Sequence, residues 1–396
     1  MRTLLLAATA LALPLAACDF AGSGDTSDPD AEGSVTTADN SDRFQADAMA
    51  SNDAQASEDM AGAAKDDKPR PIMQAQVVLD RLGFTPGVVD GKMGLSTVNA
   101  LKGFQEAKGM TVTGKMDEPT KQALAEWNRI PATRVVTIPE SFANEEFTKL
   151  PKDPKDQAKL DRLGYESLDE KLAERFHTTV AVLREMNPNM DAVLESDGMG
   201  QNEMSVNESA TKPTDTSAFR AGQKLRVPNV GADRIASSAV KDKDWQQTLA
   251  MLGVGTEQPT AAKVVVDKSD QVLRVLDGEG KLLAQFTATM GSAAFPLPLG
   301  TWKIQGTGYN PDWSYDPKLL ATADKSDPKL QIPGGPNNPI GVVWIDLSKE
   351  HYGIHGTNEP ERIGRAESNG CIRLTNWDAA RLAQMVKPGT VALFQA

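Results

Sequence analysis

The hydrophobic and polar positions divide the chain into segments of different character. Apolar residues recur at three- and four-residue spacing from 168 to 176 and from 180 to 186, which is typical of amphipathic helices. Beyond residue 262 the pattern changes to short runs rich in valine and leucine, separated by turn residues, as expected of strands. The pattern predicts a multidomain α+β protein in which helical modules precede a β-rich C-terminal domain.

Individual elements of the β-rich domain can be predicted. The segments 272–276 and 282–286 flank a turn that contains two glycines, so we expect a hairpin. A helix is predicted at 377–386, with Asn376 as its N-terminal cap. Further strands are expected at 301–305, 341–346 and 391–395.

Residues 70–130 contain an internal repeat. A Gly-Lys-Met turn at 91–93 recurs at 114–116, and each copy continues into a helical segment. A third helix, near 72–82, precedes them. Because no such unit can bury its apolar face alone, we expect one small three-helix domain.

A second helical module is predicted at 160–230. Its two helices are followed by a polar insertion at 190–218 and by a strand near the end of the module. His177 lies between the helices and is expected to be a surface or capping residue. The segment 231–260 reads as a polar linker with one short amphipathic stretch.

The N-terminal region has the composition of an export signal and a tether. Residues 1–18 combine one positive charge, a short apolar run and small residues before Cys18. Residues 19–69 contain 13 Asp or Glu and 3 Lys or Arg, with no apolar periodicity, so we expect a disordered acidic tether. The net charge of −12 argues against nucleic acid as a partner.

The stretch 351–374 carries the residues that point most directly to chemistry. It reads HYGIHGTNEPERIGRAESNGCIRL and holds two of the three histidines. Cys371 is a candidate nucleophile and His355 a candidate general base, since a nearby imidazole can accept the thiol proton. Gly356 and Gly370 flank these residues and permit tight turns. This set suits acyl transfer, which needs a nucleophile, a base and donors for an oxyanion.

The same stretch resembles the signature of the L,D-transpeptidases, the YkuD-type catalytic domain of bacterial cell-wall enzymes. That signature is a histidine-glycine pair, a spacer of similar length, and Ser-His-Gly-Cys followed by a hydrophobic residue and often arginine. Ser368, Gly370, Cys371 and the Ile-Arg pair after it match, whereas Asn369 stands in the place of the second histidine. An asparagine amide can hydrogen-bond but cannot accept a proton, so this departure bears on rate and oxyanion geometry.

The resemblance covers 261–396 and implies a β-sandwich-like sheet that presents the cysteine beside a helix. It implies that Cys371 attacks the carbonyl joined to the terminal D-alanine of a stem tetrapeptide, with His355 as base. The resulting thioester is resolved by an amine, and no cofactor is implied. The motif leaves the acceptor open between a stem peptide, a protein and water. The implied oxyanion or orienting residues are Gly370, Asn369 and Ser368, and the implied substrate contacts are Arg373, Gly356 and Tyr352.

Other segments carry resemblances of their own. Residues 70–130 resemble a three-helix peptidoglycan-binding domain, and 160–230 resemble a LysM module, a small β-α-α-β carbohydrate-binding fold. Leu-Ala-Ala-Cys18 resembles a lipobox, the bacterial site at which the cysteine receives lipid; a plain signal peptide is the alternative. Together they imply an exported lipoprotein of the periplasm or cell envelope, anchored to a membrane and bound to peptidoglycan. Lipid on Cys18 would leave Cys371 without a disulfide partner in the chain.

Three alternatives are weighed against the transpeptidase. His351, His355 and Cys371 are types that bind zinc, but the His-x-x-x-His spacing normally works on a helix, and glycine interrupts it here. A non-catalytic lipoprotein that tethers membrane to peptidoglycan is a second alternative, and a hydrolase of the same fold is a third. The intact pair of His355 and Cys371 favours an enzyme.

Overall fold

The computed structural model describes residues 66, 68–188, 217–231, 240–320, 323–366, 368 and 370–396, which belong to one compact unit, Phe44–Ala396. The predicted signal peptide with Cys18, nearly all of the acidic tether, most of the insertion at 190–218 and Asn369 lie outside the described residues. Among the described helices, none has the length and apolar character needed to cross a membrane.

As the pattern predicts, most helices lie in the N-terminal part of the described chain and most strands lie beyond residue 262. The helices are α1 Pro71–Arg81, α2 Leu95–Ala107, α3 Glu118–Leu124, α4 Glu140–Ala143, α5 Pro154–Gln157, α6 Leu168–Arg175, α7 Val180–Met186, α8 Lys243–Leu252 and α9 Asn376–Met385. The strands are β1 Phe84–Thr85, β2 Thr133–Thr137, β3 Lys224–Pro228, β4 Lys263–Asp267, β5 Val272–Leu276, β6 Leu282–Thr287, β7 Thr289–Met290, β8 Gly300–Tyr309, β9 Trp313–Tyr315, β10 Leu330–Ile332, β11 Val343–Leu347, β12 Gly353–His355, β13 Ile372–Arg373 and β14 Val391–Gln395.

A buried glutamine supports each glycine turn of the repeat in the N-terminal helical domain, Gln76 from α1 and Gln105 from α2, and sequence analysis did not identify either. Gln76 accepts a hydrogen bond from the N–H of Gly91 at 2.7 Å, and Gln105 accepts one from Gly114 at 2.8 Å. Each amide also donates to the threonine of its repeat. The buried glutamine amides thus supply hydrogen-bond partners to the backbone N–H groups at the inner side of the two glycine turns.

The segment from β2 to β3 forms a second small unit, named the β-α-α-β unit for its two strands and its two longer helices α6 and α7. Strand β2 pairs antiparallel with β3, and the short helices α4 and α5 precede α6 and α7 between them in the chain. Because β2 begins at Thr133, the unit starts well before the boundary predicted at 160. Phe176 and Leu225 of this unit share one buried core with Leu79 and Phe104 of the helical domain. The two units are therefore packed together.

The C-terminal domain is built on a ten-stranded sheet with the order β1-β6-β5-β4-β14-β8-β11-β12-β13-β7. The predicted hairpin is confirmed, since β5 and β6 pair antiparallel. Edge strand β1 comes from the helical domain and pairs parallel with β6, with Phe84 opposite Gln285. Helix α9 packs on β11 and β12 with Trp377 fully buried. The helical domain is thus joined to the C-terminal sheet by main-chain pairing.

The segment 231–260, predicted as a polar linker with one short amphipathic stretch, is only in part a linker. The amphipathic stretch forms helix α8, and Trp245, Leu249, Leu252 and Val254 lie in the core of the sheet domain. Burial of the apolar side chains on one face of this helix is favourable, and a linker exposed to solvent would forgo that gain. This segment belongs to the C-terminal domain.

His177 is not the surface or capping residue that was predicted. Its ring is fully buried and stacks on Trp377 with centroids 4.8 Å apart. Its Nε2 lies 2.8 Å from the carbonyl oxygen of Leu252, and its Nδ1 lies 3.2 Å from the carboxylate of Asp80. The same carboxylate accepts two hydrogen bonds from Arg381. The prediction failed because three modules converge on this turn, which local sequence does not show.

Candidate active site

The two residues expected to carry the chemistry lie on neighbouring parallel strands. Strand β12 pairs with β13 so that Ile354 is opposite Ile372 and His355 is opposite Arg373. Cys371 immediately precedes β13. Because side chains alternate along a strand, His355, Cys371 and Arg373 share one face of the sheet, and the two isoleucines are buried on the other.

The imidazole of His355 is buried and held in one tautomer. Its ring stacks on Trp344 of β11, with centroids 5.5 Å apart and an interplanar angle of 19°. Its Nδ1 lies 2.7 Å from the carbonyl oxygen of Gly356. A carbonyl only accepts, so this contact assigns the proton to Nδ1 and leaves Nε2 as the nitrogen to receive one. Backbone hydrogen bonds to Gly356 and to Ile340 favour the protonated ring, but two stronger influences oppose them. Burial, together with the charge of Arg373, lowers the pKa of His355 to about 3, and the ring is therefore neutral at physiological pH.

Cys371 carries a free thiol that is partly accessible to solvent. Its Sγ lies 3.8 Å from the carbonyl oxygen of His351. Burial raises the pKa of the thiol, although a backbone hydrogen bond to Gly353 and the charge of Arg373 act in the opposite direction. Both members of the resting pair are therefore neutral. This arrangement fits general-base catalysis, in which the proton leaves as sulfur attacks, rather than a preformed thiolate–imidazolium pair.

Ser368 fixes the backbone that leads to the cysteine. Its Oγ donates to the carbonyl of Cys371 at 2.6 Å and accepts from the N–H groups of Gly291 at 2.7 Å and Gly370 at 3.2 Å. Gly370 has a φ of 102°, and a Cβ there would lie 2.7 Å from the ring of Tyr352. Only glycine fits this conformation and this contact. The Gly370 N–H, predicted as an oxyanion donor, is thus engaged by Ser368.

Arg373 places an unsatisfied donor beside the two candidate catalytic residues. Its Nε is buried and has no hydrogen-bond partner within the described ranges. Burial lowers the pKa of this guanidinium, against the opposing influence of Cys371 and Glu359. A buried guanidinium nitrogen without a partner is costly, and an anionic ligand would remove that cost.

Sequence analysis missed the role of Asn376. It is the first residue of α9 and not its cap, because Thr375 supplies the capping oxygen to the N–H of Asp378. The Asn376 Oδ1 instead accepts from the N–H of Val342 at 3.2 Å and from that of Thr357 at 3.1 Å. A buried amide that serves two distant loops gives the same sequence signal as a cap, so no local pattern could distinguish them.

Gly356, which stays a predicted substrate contact, packs closely against Asn376. Its backbone is buried, and a Cβ at Gly356, or at Gly341, would clash with the Asn376 side-chain oxygen. Glycine is needed at both positions so that the amide can lie between the two loops.

Within the described part of the chain, no group of three or more His, Cys, Asp or Glu side chains is arranged to hold a metal ion. The side chain of His351, the third zinc candidate, is 64% exposed and lies 3.5 Å from Glu350.

The fold and the site define a domain with a thiol and an imidazole on adjacent strands of one sheet. Residues 261–393 match the family described as L,D-transpeptidase catalytic domain (YkuD), and residues 70–124 match the family described as "Putative peptidoglycan binding domain". The two matches cover the sheet domain and the N-terminal helical domain separately.

Similar proteins have been described in several bacteria. The chain is 40% identical over 187 residues to "Putative L,D-transpeptidase in ATP synthase subunits region ORF 5" of Fuscovulum blasticum, covering 45% of this chain and 97% of that protein. It is 56% identical over 55 residues to "Putative L,D-transpeptidase YkuD" of Bacillus subtilis, covering 14% and 34%. The solved L,D-transpeptidase from Mycobacterium smegmatis aligns with a TM-score of 0.28 and 24% identity, covering 34% and 58%.

The chain spans about a third of the length of the two Bacillus YkuD relatives, 33% and 34%. It spans nearly all of the Fuscovulum protein. The chain belongs to the L,D-transpeptidase family with a YkuD-type catalytic domain.

Proposed function

We propose that this protein is an L,D-transpeptidase that acts on the stem peptides of peptidoglycan. The observation that carries the proposal is the placement of His355 on β12 and of Cys371 immediately before β13, the strand that pairs with β12. The matched catalytic family supports the same activity.

In the proposed reaction, Sγ of Cys371 attacks the carbonyl carbon that precedes the terminal D-alanine of a stem tetrapeptide. The thiol proton passes to Nε2 of His355 and then to the leaving amine as the carbon–nitrogen bond breaks. An acceptor amine attacks the thioester, its proton passes to His355, and the thiol is restored. The acceptor is a second stem peptide or another protein, and a hydrolase would use water instead.

The remaining residues are assigned to substrate and to loop geometry. Arg373 binds a stem-peptide carboxylate, which pairs with its buried unsatisfied Nε. Tyr352 borders the site through its contact with Gly370. Ser368 orients the cysteine loop, and Asn369 remains a predicted helper for the oxyanion.

The other modules are proposed to bind the cell wall. The helical domain matches a peptidoglycan-binding family, and the β-α-α-β unit is proposed to be LysM-like. The protein should therefore sediment with isolated sacculi, and a protein that stays in solution would refute this part. We also propose export and lipidation at Cys18, which places the protein in the cell envelope; a Cys18→Ala protein should lose lipid labelling.

The activity is tested by incubating the purified protein with disaccharide tetrapeptide and measuring intact mass, released D-alanine and cross-linked product. Wild type should form a thioester adduct, whereas Cys371→Ala and His355→Ala should not turn over. His351→Ala is the matched control, because that histidine is exposed nearby and has no assigned role. D-Alanine release without cross-links would indicate a hydrolase. Absence of both adduct and turnover would leave the non-catalytic tethering lipoprotein.

A further inference from the structure

Asn376 is held in place from outside the sheet domain. Its Nδ2 donates at 2.8 Å to Oε1 of Glu174, the residue before the last of α6, and at 3.2 Å to the carbonyl oxygen of Pro336. The other carboxylate oxygen of Glu174 accepts from the hydroxyl of Tyr165 at 2.5 Å. Glu174 is 8% exposed and Tyr165 is 2% exposed. The β-α-α-β unit therefore reaches into the interior of the sheet domain with a carboxyl group that has two defined partners.

One peptide unit connects this contact to the imidazole. Asn376 Oδ1 accepts from the N–H of Thr357, and the carbonyl oxygen of the same peptide bond, which belongs to Gly356, lies 2.7 Å from Nδ1 of His355. The peptide is planar and rigid, so the position of its N–H fixes the position of its carbonyl. Hydrogen bonds in such a chain also polarise one another.

Glu174 is one of four groups that fix which end of the Asn376 amide faces the loops. Its Oε1 and the carbonyl oxygen of Pro336 accept from Nδ2, while the two backbone N–H groups donate to Oδ1. Without that acceptor, the carbonyl of Pro336 alone, at a longer distance, holds the amide.

We propose that Glu174 is a positioning residue of the active site, which orients Asn376 and, through the Gly356–Thr357 peptide, holds the ring of His355 in its reactive tautomer. This inference rests on the proposed function, because it takes His355 to be the general base. A module expected to bind carbohydrate thus also completes the catalytic geometry.

The structure supplies a matched control one helical turn away. Glu170 of α6 accepts a hydrogen bond from Asn337 Nδ2 at 2.8 Å across the same interface. Asn337 also donates to the carbonyl oxygen of Gly164. This pair joins the same two modules through the same residue types, but it makes no direct hydrogen bond to Asn376. Its link to Asn376 is the Pro336–Asn337 peptide, whose carbonyl oxygen is the more distant acceptor of Asn376 Nδ2 at 3.2 Å.

The test compares Glu174→Ala, Glu174→Gln and Glu170→Ala in the full-length protein. We expect Glu174→Ala to lower kcat by about tenfold or more with KM for the tetrapeptide changed less than about twofold, since small displacements of a catalytic group have effects of this size. Glutamine retains an oxygen for Asn376 and should restore kcat. Glu170→Ala should leave kcat near wild type. Equal losses in Glu174→Ala and Glu170→Ala, or no rescue by glutamine, would overturn the proposal.

A second readout does not depend on turnover. In protein with isotope-labelled histidine, the Nδ1 proton of His355 should give a hydrogen-bonded resonance that shifts or broadens in Glu174→Ala and not in Glu170→Ala. If Glu174→Ala does not fold, Tyr165→Phe releases the other carboxylate oxygen and should move the same resonance. An unchanged resonance refutes the inference. If wild type shows no turnover but the resonance still responds to Glu174→Ala, only the proposed function is refuted.

Discussion

Replacing Asp80 by alanine tests whether the modules are held together by a buried charge cluster. Asp80, on α1, is fully buried and accepts two hydrogen bonds of 3.1 Å from Arg381 of α9, whose side chain is 4% exposed. Burial alone would raise the pKa of Asp80, but the charge of Arg381 and the contact with His177 hold it well below its usual range. The carboxylate is therefore ionised and supports two buried partners.

The expected loss of unfolding free energy in Asp80→Ala is about 3 kcal/mol. Breaking a buried ion pair by removing one partner costs about 3–5 kcal/mol, because the remaining charge is left desolvated. The lower value applies here, since Asp378 lies 3.9 Å from the same guanidinium and compensates in part. The assay is urea unfolding followed by tryptophan fluorescence at pH 7.

The pH dependence gives an internal check. A carboxyl group whose pKa is lowered by folding stabilises the protein above its unfolded pKa of about 4, and this contribution is lost as the pH falls below that value. The difference in unfolding free energy between wild type and Asp80→Ala should therefore become smaller as the pH falls below about 4.

The matched control is Asp270→Ala. Asp270 pairs with Lys102 at 2.9 Å between the same two domains, but the Asp270 side chain is 51% exposed and that of Lys102 is 36% exposed. The expected loss is below about 1 kcal/mol. If Asp80→Ala loses no more than Asp270→Ala, the reasoning that burial makes the Asp80 contact strong is refuted.

Three further predictions follow from the site. The rate of alkylation of Cys371 by iodoacetamide should be low at neutral pH and still be rising above pH 9, because burial raises the thiol pKa; a plateau by pH 7 would contradict a neutral resting pair. Gly370→Ala should lower kcat, and it should lower the free energy of unfolding by about 1–2 kcal/mol for the backbone conformation alone. The loss of stability should exceed that of Gly389→Ala, because Gly389 also has a positive φ, 92°, but no atom lies within 4 Å of its added Cβ. Equal losses of stability in urea would show that the Tyr352 contact does not matter. Burial raises the pKa of Glu174 to about 7, so the ionisation of Glu174 alone should cost about 3 kcal/mol of stability as the pH rises from about 4.5 to 7. Glu174→Gln should remove that contribution from the urea-derived profile, and a slope equal to that of wild type would contradict the shift.

The sequence by itself determined the chemical types and the local elements. A lone cysteine and histidine separated by a glycine-rich spacer identified the candidate nucleophile and base, and alternation and periodicity located the hairpin of β5 and β6 and the helix α9. These features depend on residues that are near one another in the chain, where spacing fixes geometry.

Tertiary structure decided how the modules meet and which polar residues support the site. Asn376 was read as a cap and His177 as a surface residue, because their partners, Glu174 and Asp80, lie in other modules. The segment of α8 was read as a linker for the same reason, since the core that buries its apolar face is distant in sequence. Burial and long-range hydrogen bonding are set by what surrounds a residue in space, and only the folded chain specifies those surroundings.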